Sequence, residues 1–334
     1  MKRKIAIIAG GDSSEHEVSL RSAAGLYSFI DKERYDVTIV VFDGKNWYAV
    51  PALENGEWKV ENDSYPIDKN DFSFTRAGVK HTFDFAYITI HGTPGENGIL
   101  QGYLDMIGMP YSCCGVLAAA LTFNKYACNH YLSYFGFHIA NSMMLRAGQK
   151  LPNAPKIAET LGLPCFIKSN VGGSSFGCTK VKTVEAIYPA IERAFQEGDE
   201  VICEAFMQGT EVTCGVYKTK DKAVAFPITE VVTHNEFFDY DAKYKGEVDE
   251  ITPARIPDAL RDKIQAETLR LYDIIGANGI IRVDWIITGE QINLLEVNTT
   301  PGMTPTSFIP QQVRAAGLDI KDVLTDIIEN KFAQ

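Results

Sequence analysis

Residues 4–9 form a short apolar run that stops at Gly10-Gly11, the pattern of a buried strand meeting a turn. Residues 18–30 then carry apolar positions at helical spacing, 37–42 return to a strand-like run, and 83–90 form another that ends at His91-Gly92. This alternation to about residue 120 predicts a parallel α/β domain with functional loops at the strand carboxyl ends. No G-x-G-x-x-G follows the first strand, so a dinucleotide fingerprint is absent.

The pattern changes over residues 121–212. A helix is predicted near 125–134, a strand at 164–168, a glycine- and serine-rich loop at 172–177, a helix at 184–195 and a strand at 200–206. Strands follow at 211–218 and 222–228. Residues 231–250 are polar and aromatic without clear periodicity, and such a segment inside a compact domain reads as a lid. A helix over 258–275 leads into Ile281-Arg282-Val283-Asp284-Trp285 and Leu294-Leu295-Glu296-Val297-Asn298, two alternating runs that read as a hairpin around Thr288-Gly289-Glu290. Arg282 and Asp284 share one face, as do Glu296 and Asn298, while Ile281, Val283, Trp285, Leu295 and Val297 point to the core. An odd-numbered loop would bring the two polar faces together. Two carboxylates and an amide then suit a magnesium ion, and a solvated face with one salt bridge is the plainer alternative.

The chain of 334 residues exceeds what one core usually organises, so two or three domains are expected. Its net charge of -11 argues against a general affinity for nucleic acid or acidic membranes. No run of about 18 apolar residues predicts a membrane span. The start, Met1-Lys2-Arg3-Lys4 and a short apolar run, imitates a signal peptide, but the acidic stretch that follows favours a first strand. The seven cysteines lack metal-ligand spacing and adjacent Cys113-Cys114 make a poor disulfide, so reduced thiols in the cytoplasm are expected.

Lys168 ends an apolar strand just before Gly172-Gly173-Ser174-Ser175-Phe176-Gly177. Glycine-loop N–H groups, the hydroxyls of Ser174 and Ser175 and an ammonium suit a polyphosphate. Cys178 stands where a P-loop lysine belongs, which disfavours that class, and an ordinary hairpin turn is the alternative. Glu204-Ala205-Phe206-Met207, with Glu211 beyond, offers backbone groups and apolar side chains for an adenine and a carboxylate for ribose; a buried edge strand reads equally from it. Glu15 either binds an ammonium group or caps the next helix, and residues 91–98 are either a ligand loop or a Pro/Gly turn.

Taken together, these segments resemble the D-alanine–D-alanine ligases of the ATP-grasp superfamily. Gly10-Gly11-x-Ser-x-Glu15-x-Glu-Val-Ser-Leu20, His91-Gly-x-x-Gly-Glu-x-Gly98, Leu100-Gln101-Gly102, Gly172-Gly-Ser-Ser175, Asp239-Tyr-Asp-Ala-Lys-Tyr244 and Glu296-x-Asn-Thr-x-Pro-Gly-Met303 occur in the family's order. The resemblance implies an α/β (α+β ATP-grasp) fold: an amino-terminal domain over 1–120, a central ATP-grasp subdomain over 121–212, and a carboxyl-terminal one over 213–334 carrying the lid 231–250. It implies ATP as co-substrate, two magnesium ions (manganese an alternative), two D-alanines as substrates, a D-alanyl phosphate intermediate, a peptidoglycan precursor as product and a homodimer as the assembly. Lys125 and Lys168 match the phosphate-contacting lysines, Lys243 a lid lysine aimed at phosphate, and Glu204, Met207 and Glu211 the adenosine pocket. Asp284, Glu296 and Asn298 match the metal ligands. Glu15 matches the carboxylate that binds the first D-alanine's ammonium, with Ser174 and Tyr244 as its partners. Ser307 matches the group that binds the second D-alanine's carboxylate, and Arg282 and the Gly302 N–H match the oxyanion stabilisers.

The sequence departs from the family pattern at Ser169, where proline is usual and the strand exit is expected to be less rigid, at Val171-Gly172, at Ala205, and at Asn124, where aspartate is frequent. Tyr244 favours an amine acceptor over D-lactate. A D-alanine–D-serine ligase and a non-catalytic nucleotide-binding regulator are the alternative readings.

Overall fold

A computed structural model describes residues 2–50, 64–173, 177–233 and 248–333. The first apolar run becomes Arg3–Gly10, which lies between two parallel neighbours, Tyr35–Asp43 and Phe85–Ile88. Its run is continuous because both faces are covered: Ile5 and Ile7 pack with Leu26 of helix His16–Phe29, whereas Ala6 and Ile8 pack with Leu100 and Leu104 of helix Ile99–Met106. The expected parallel sheet is in fact mixed, because Asn46–Val50 folds back antiparallel on Tyr35–Asp43 and Tyr65–Pro66 adds to that edge.

A second sheet of four antiparallel strands runs in the order Thr179–Val181, Cys165–Ser169, Glu200–Ala205, Ser142–Arg146. Cys165, Ile167, Val201 and Cys203 face the helices Ala154–Leu161 and Ile187–Ala194. Alternation therefore turns Phe166, Lys168 and Glu204 to the opposite side. The helix expected over 184–195 starts as a 3-10 turn, Val184–Ala186.

The third sheet follows the path Val248–Ile251, Thr229–Thr233, Thr210–Lys218, Ile280–Thr288, Gln291–Asn298, His138–Ile139. Helix Asp258–Ile274 covers it through Ile264 and Leu271, and the Trp285 indole N–H donates to Thr268 Oγ1 at 3.2 Å. Helices Val116–Phe123 and Lys125–Ser133 join this core through Ala118, Ala119, Cys128 and Leu132, rather than that of the four-stranded sheet. The two ends of the segment expected to be a lid are a β ladder, Glu230 to Thr233 pairing with Val248 to Ile251. Alternating Thr229-Glu230-Val231-Val232 suits a strand there. Residues 234–247 lie outside the described residues.

Candidate active site

The hairpin Ile280–Thr288/Gln291–Asn298 turns on Gly289-Glu290, two residues rather than an odd number, with Gly289 at φ +63. Counted back from Thr288 and Gln291, an unbroken ladder would set Asp284 opposite Leu295 and turn Glu296 and Asn298 to the core. A β-bulge between Asp284 and Trp285 shifts the register, so Asp284 pairs with Glu296 and Arg282 with Asn298. The polar faces coincide through the bulge, not the turn. The same shift corrects the expected core: Leu294 is fully buried in the sheet's cluster, while Leu295 lines the cleft.

Arg282 grips Asp284 as a fork, Nε to Oδ1 at 2.9 Å and Nη2 to Oδ2 at 2.8 Å. Thr213 Oγ1 donates to Oδ1 and Asn298 Nδ2 to Oδ2 at 3.1 Å. Thr213, set opposite Asp284 by the neighbouring strand, is a participant the sequence did not single out. Asp284 and Glu296 carboxylates and the Asn298 amide are hard oxygen donors on one ribbon face, which suits a magnesium ion. Asp284 already accepts four hydrogen bonds, about the capacity of a carboxylate, so a cation at Asp284 would enter by displacing a donor. No group of three His, Cys, Asp or Glu side chains poised for a metal occurs among the described residues.

Above this floor is a cleft of about 700 Å³ between the four- and seven-stranded sheets. Lys168 Nζ lies 2.6 Å from Glu204 Oε2, so the lysine expected at phosphate and the carboxylate expected at ribose form a buried pair. Burial opposes the Lys168 charge, but Glu204 and Glu296 outweigh it and hold the ammonium above the ordinary lysine value. Phe166 and Phe206 stand with ring centroids 6.0 Å apart, and with Met207, Ile286 and Leu295 they give the cleft an apolar end fit for a base. Of these, Phe166 and Ile286 were not singled out by sequence and Leu295 was expected in the core; their faces follow only from strand register. Glu211 lines the same cleft.

A second cavity of about 510 Å³ opens beside it, lined by Arg21, His91, Glu96, Thr306 and the loop from Thr299 to Ser307. Gly302 abuts Ser307 (a Cβ there would lie 3.0 Å from Oγ), and Thr304 Oγ1 and Ser307 Oγ are 2.7 Å apart. Glu96 accepts from Gly92 N at 2.8 Å and Thr300 N at 3.4 Å; burial raises its pKa, His91 opposing and Glu15 adding to the shift. Glu15, Phe123, Lys125, Gly172, Gly173, Arg282, Glu296 and Phe308 line both cavities and so form a common wall. Glu15 stands at the N-cap position of helix His16–Phe29, but its side chain makes no cap hydrogen bond. Gly173 instead approaches its carboxyl so closely that a Cβ would sit 2.4 Å from Oε2. Lys125 Nζ donates to Gly172 O at 2.5 Å and lies 3.9 Å from Glu296 Oε2, while Arg282 sits 5.2 Å over the Phe308 ring. Ser174, Ser175, Lys243 and Tyr244 lie outside the described residues.

Two facing sheets with a lysine-lined nucleotide cleft and an acidic floor define an ATP-grasp ligase. The family description "D-ala D-ala ligase N-terminus" matches residues 4–114 and "D-ala D-ala ligase C-terminus" matches 132–329. The D-alanine--D-alanine ligase of Bacteroides fragilis is 66% identical over 333 residues, covering 99% of this chain and 100% of that one. The ligase of the same name from Porphyromonas gingivalis W83 is 55% identical, with 99% and 98% covered. Among solved structures, the VanG D-Ala:D-Ser ligase of Enterococcus faecalis superposes with a TM-score of 0.87 at 30% identity, covering 99% of this chain and 100% of that one. A D-alanine--D-alanine ligase from Bacillus anthracis complexed with ATP superposes at 0.77 with 25% identity, covering 99% and 98%. The chain belongs to the D-alanine–D-alanine ligase family.

Proposed function

We propose that this chain joins two D-alanines to D-alanyl-D-alanine with cleavage of ATP to ADP and phosphate, supplying peptidoglycan synthesis from the cytoplasm. The observation that carries the reading is the common wall: a nucleotide-sized cleft and a smaller polar cavity meet at Glu15, Lys125, Arg282 and Glu296. Adenine lies between Phe166, Phe206 and Met207, with Glu204 and Glu211 toward the ribose. Lys125 and Lys168 take the phosphates, joined by Ser174, Ser175 and Lys243. Glu15 orients the first D-alanine by its ammonium, with Ser174 and Tyr244 completing that contact. The donor carboxylate attacks the γ-phosphorus and ADP leaves, giving an acyl phosphate; the acceptor's neutral amine then attacks the carbonyl carbon and phosphate leaves. Arg282 and the Gly302 N–H face the charge that develops on the carbonyl oxygen, and Ser307 holds the acceptor carboxylate. Asp284, Glu296 and Asn298 would hold the two divalent cations, whose chemistry is to neutralise charge on the phosphates. The division at 1–120, 121–212 and 213–334 with lid 231–250, and a homodimer, belong to the same proposal, except that helix Lys125–Ser133 and strand His138–Ile139 go with the third sheet. Ile99, Met106 and Leu117, exposed by 61%, 88% and 80% on adjoining helices, offer such a dimer an apolar face.

Thr304, Thr306 and Ser307 place three hydroxyls at the second cavity, which favours D-serine as a second acceptor. Phosphate release and product identity across D-alanine, D-serine and D-lactate test both readings. D-Alanyl-D-alanine is the expected main product at neutral pH; preferential ester formation, or no amino-acid-dependent phosphate release, would overturn the assignment.

A further inference from the structure

We propose that Asn170 is a positioning residue that locks the end of strand Cys165–Ser169 to the amino end of helix Lys125–Ser133, so that Lys125 and Lys168 hold the ATP phosphates as one body. The inference rests on the nucleotide reading above. Asn170 is fully buried just beyond strand Cys165–Ser169, and its four polar atoms are all engaged. Its N–H donates to Glu200 O at 2.9 Å, and its carbonyl accepts from Lys125 N at 3.1 Å. Side-chain Oδ1 accepts from Tyr126 N at 2.8 Å, and Nδ2 donates to Glu200 Oε2 at 2.8 Å. Two residues on, Gly172 O accepts from the Lys125 ammonium itself. One residue thus ties three elements: the strand that carries Lys168, the helix that carries Lys125 and the strand Glu200–Ala205.

The helix end is closed by this arrangement. Its first three N–H groups go to Asn170 O, Asn170 Oδ1 and Asn124 Oδ1, so the helix offers phosphate the Lys125 side chain rather than its backbone. Glu200 is fixed in turn, accepting from Arg146 Nε at 2.9 Å and Asn124 Nδ2 at 3.2 Å. Ser169 does none of this; its buried Oγ has no hydrogen-bond partner among the described residues. The strand exit that Ser169 was expected to loosen is held by its neighbour instead.

Only an amide meets both demands, because Oδ1 must accept from an N–H while Nδ2 donates to a carboxylate. Steady-state kinetics on the full chain, with Tm measured in parallel, test this. Asn170→Ala is expected to raise KM for ATP about tenfold, the scale of one or two lost hydrogen bonds, with KM for D-alanine within about twofold. Asn170→Asp sets two carboxylates together and is expected to be worse than alanine. Adding Glu200→Gln to Asn170→Asp restores a donor opposite the introduced carboxylate, in the sense of a double-mutant cycle. It is expected to bring KM for ATP back within about threefold of Glu200→Gln alone. The comparison of Asn170→Asp with the double variant holds even if the alanine variant folds poorly. An unchanged KM for ATP in Asn170→Ala, a parallel rise for D-alanine, or no recovery in the double variant would overturn the inference. Absence of D-alanine-dependent turnover in the unaltered chain would instead overturn the functional reading beneath it.

Discussion

Gly173 tests the common wall directly. A Cβ at this position would lie 2.4 Å from Glu15 Oε2 and 2.9 Å from its Cδ and Oε1, so its three nearest neighbours all belong to that one side chain. Ordinary contacts of this kind begin at about 3.5 Å, so in Gly173→Ala one side must yield by about 1 Å. The carboxyl end of Glu15 is the softer partner, since yielding there costs a side-chain rotation rather than a backbone shift. The expected penalty therefore falls on substrate alignment and not on folding. A displacement of about 1 Å costs on the order of 10²-fold in rate, which is about 2.7 kcal/mol. We expect kcat/KM for D-alanine to fall by that factor at saturating ATP, with ATP affinity within about threefold and Tm within about 3 °C. Phosphate release with D-alanine varied, calorimetric titration with a non-hydrolysable ATP analogue, and a thermal melt supply the three readings. Glu15→Asp should be less than additive with Gly173→Ala, because a shorter side chain makes room for the methyl. Gly172→Ala separates sterics from conformation: that position meets nothing within 4 Å but sits at φ +98, so its penalty should appear in stability. Activity of Gly173→Ala within about threefold of the unaltered chain, or equal losses in ATP and D-alanine affinity, would refute the contact as the cause.

Arg282→Lys keeps the charge but loses the fork to Asp284 and the stack on Phe308; kcat should fall about 10²–10³-fold with ATP affinity preserved, and near-normal kcat would remove Arg282 from the oxyanion role. The Arg146 hydrogen bond, with smaller help from Asn170 and Asn124, holds the Glu200 carboxyl below the ordinary carboxylate range. Its stabilisation is therefore present above the unfolded value of about 4.3 and is lost as pH falls through the lower folded value. Arg146→Ala should accordingly lower Tm near neutral pH and converge with the unaltered chain in acid; a pH-independent gap would contradict this. ATP affinity measured with and without EDTA should differ by at least about tenfold, since phosphate drawn to Lys125 takes that ammonium from Glu296, a loss that a divalent cation would offset. Equal affinity in EDTA would mean the carboxylates do not need a cation in exchange.

Period-2 alternation was enough to place Arg282 and Asp284 on one face, and the end of an apolar run was enough to put Lys168 just before the glycine loop, because each depends only on neighbours along the chain. The meeting of Asp284 with Glu296 was not legible in the same way. It depends on an extra residue at Leu295, and a bulge leaves no mark in a pattern where Leu294 and Leu295 are equally apolar. Thr213 and Phe166 were missed for a related reason: each acts through a partner on another strand, and cross-strand register is not written in local periodicity. Charge pairing was the least legible feature. Lys168 and Lys125 were each read as waiting for an anion, yet each has a carboxylate nearby, Glu204 at 2.6 Å and Glu296 at 3.9 Å; for Arg282 the salt bridge of the plainer reading is present, with Asp284 at 2.8 Å. Two of those three carboxylates are the ones expected to ligate metal. Each of these three cations thus has a carboxylate nearby within the cleft itself, which keeps the desolvated lysines tolerable in a folded chain. Under the proposed function, binding would exchange partners, phosphate for carboxylate on the lysines and a divalent cation for lysine or guanidinium on the carboxylates. On that reading, such an exchange would leave fewer carboxylates without a cation when the nucleotide enters together with a divalent ion, and the comparison with and without EDTA reads that difference.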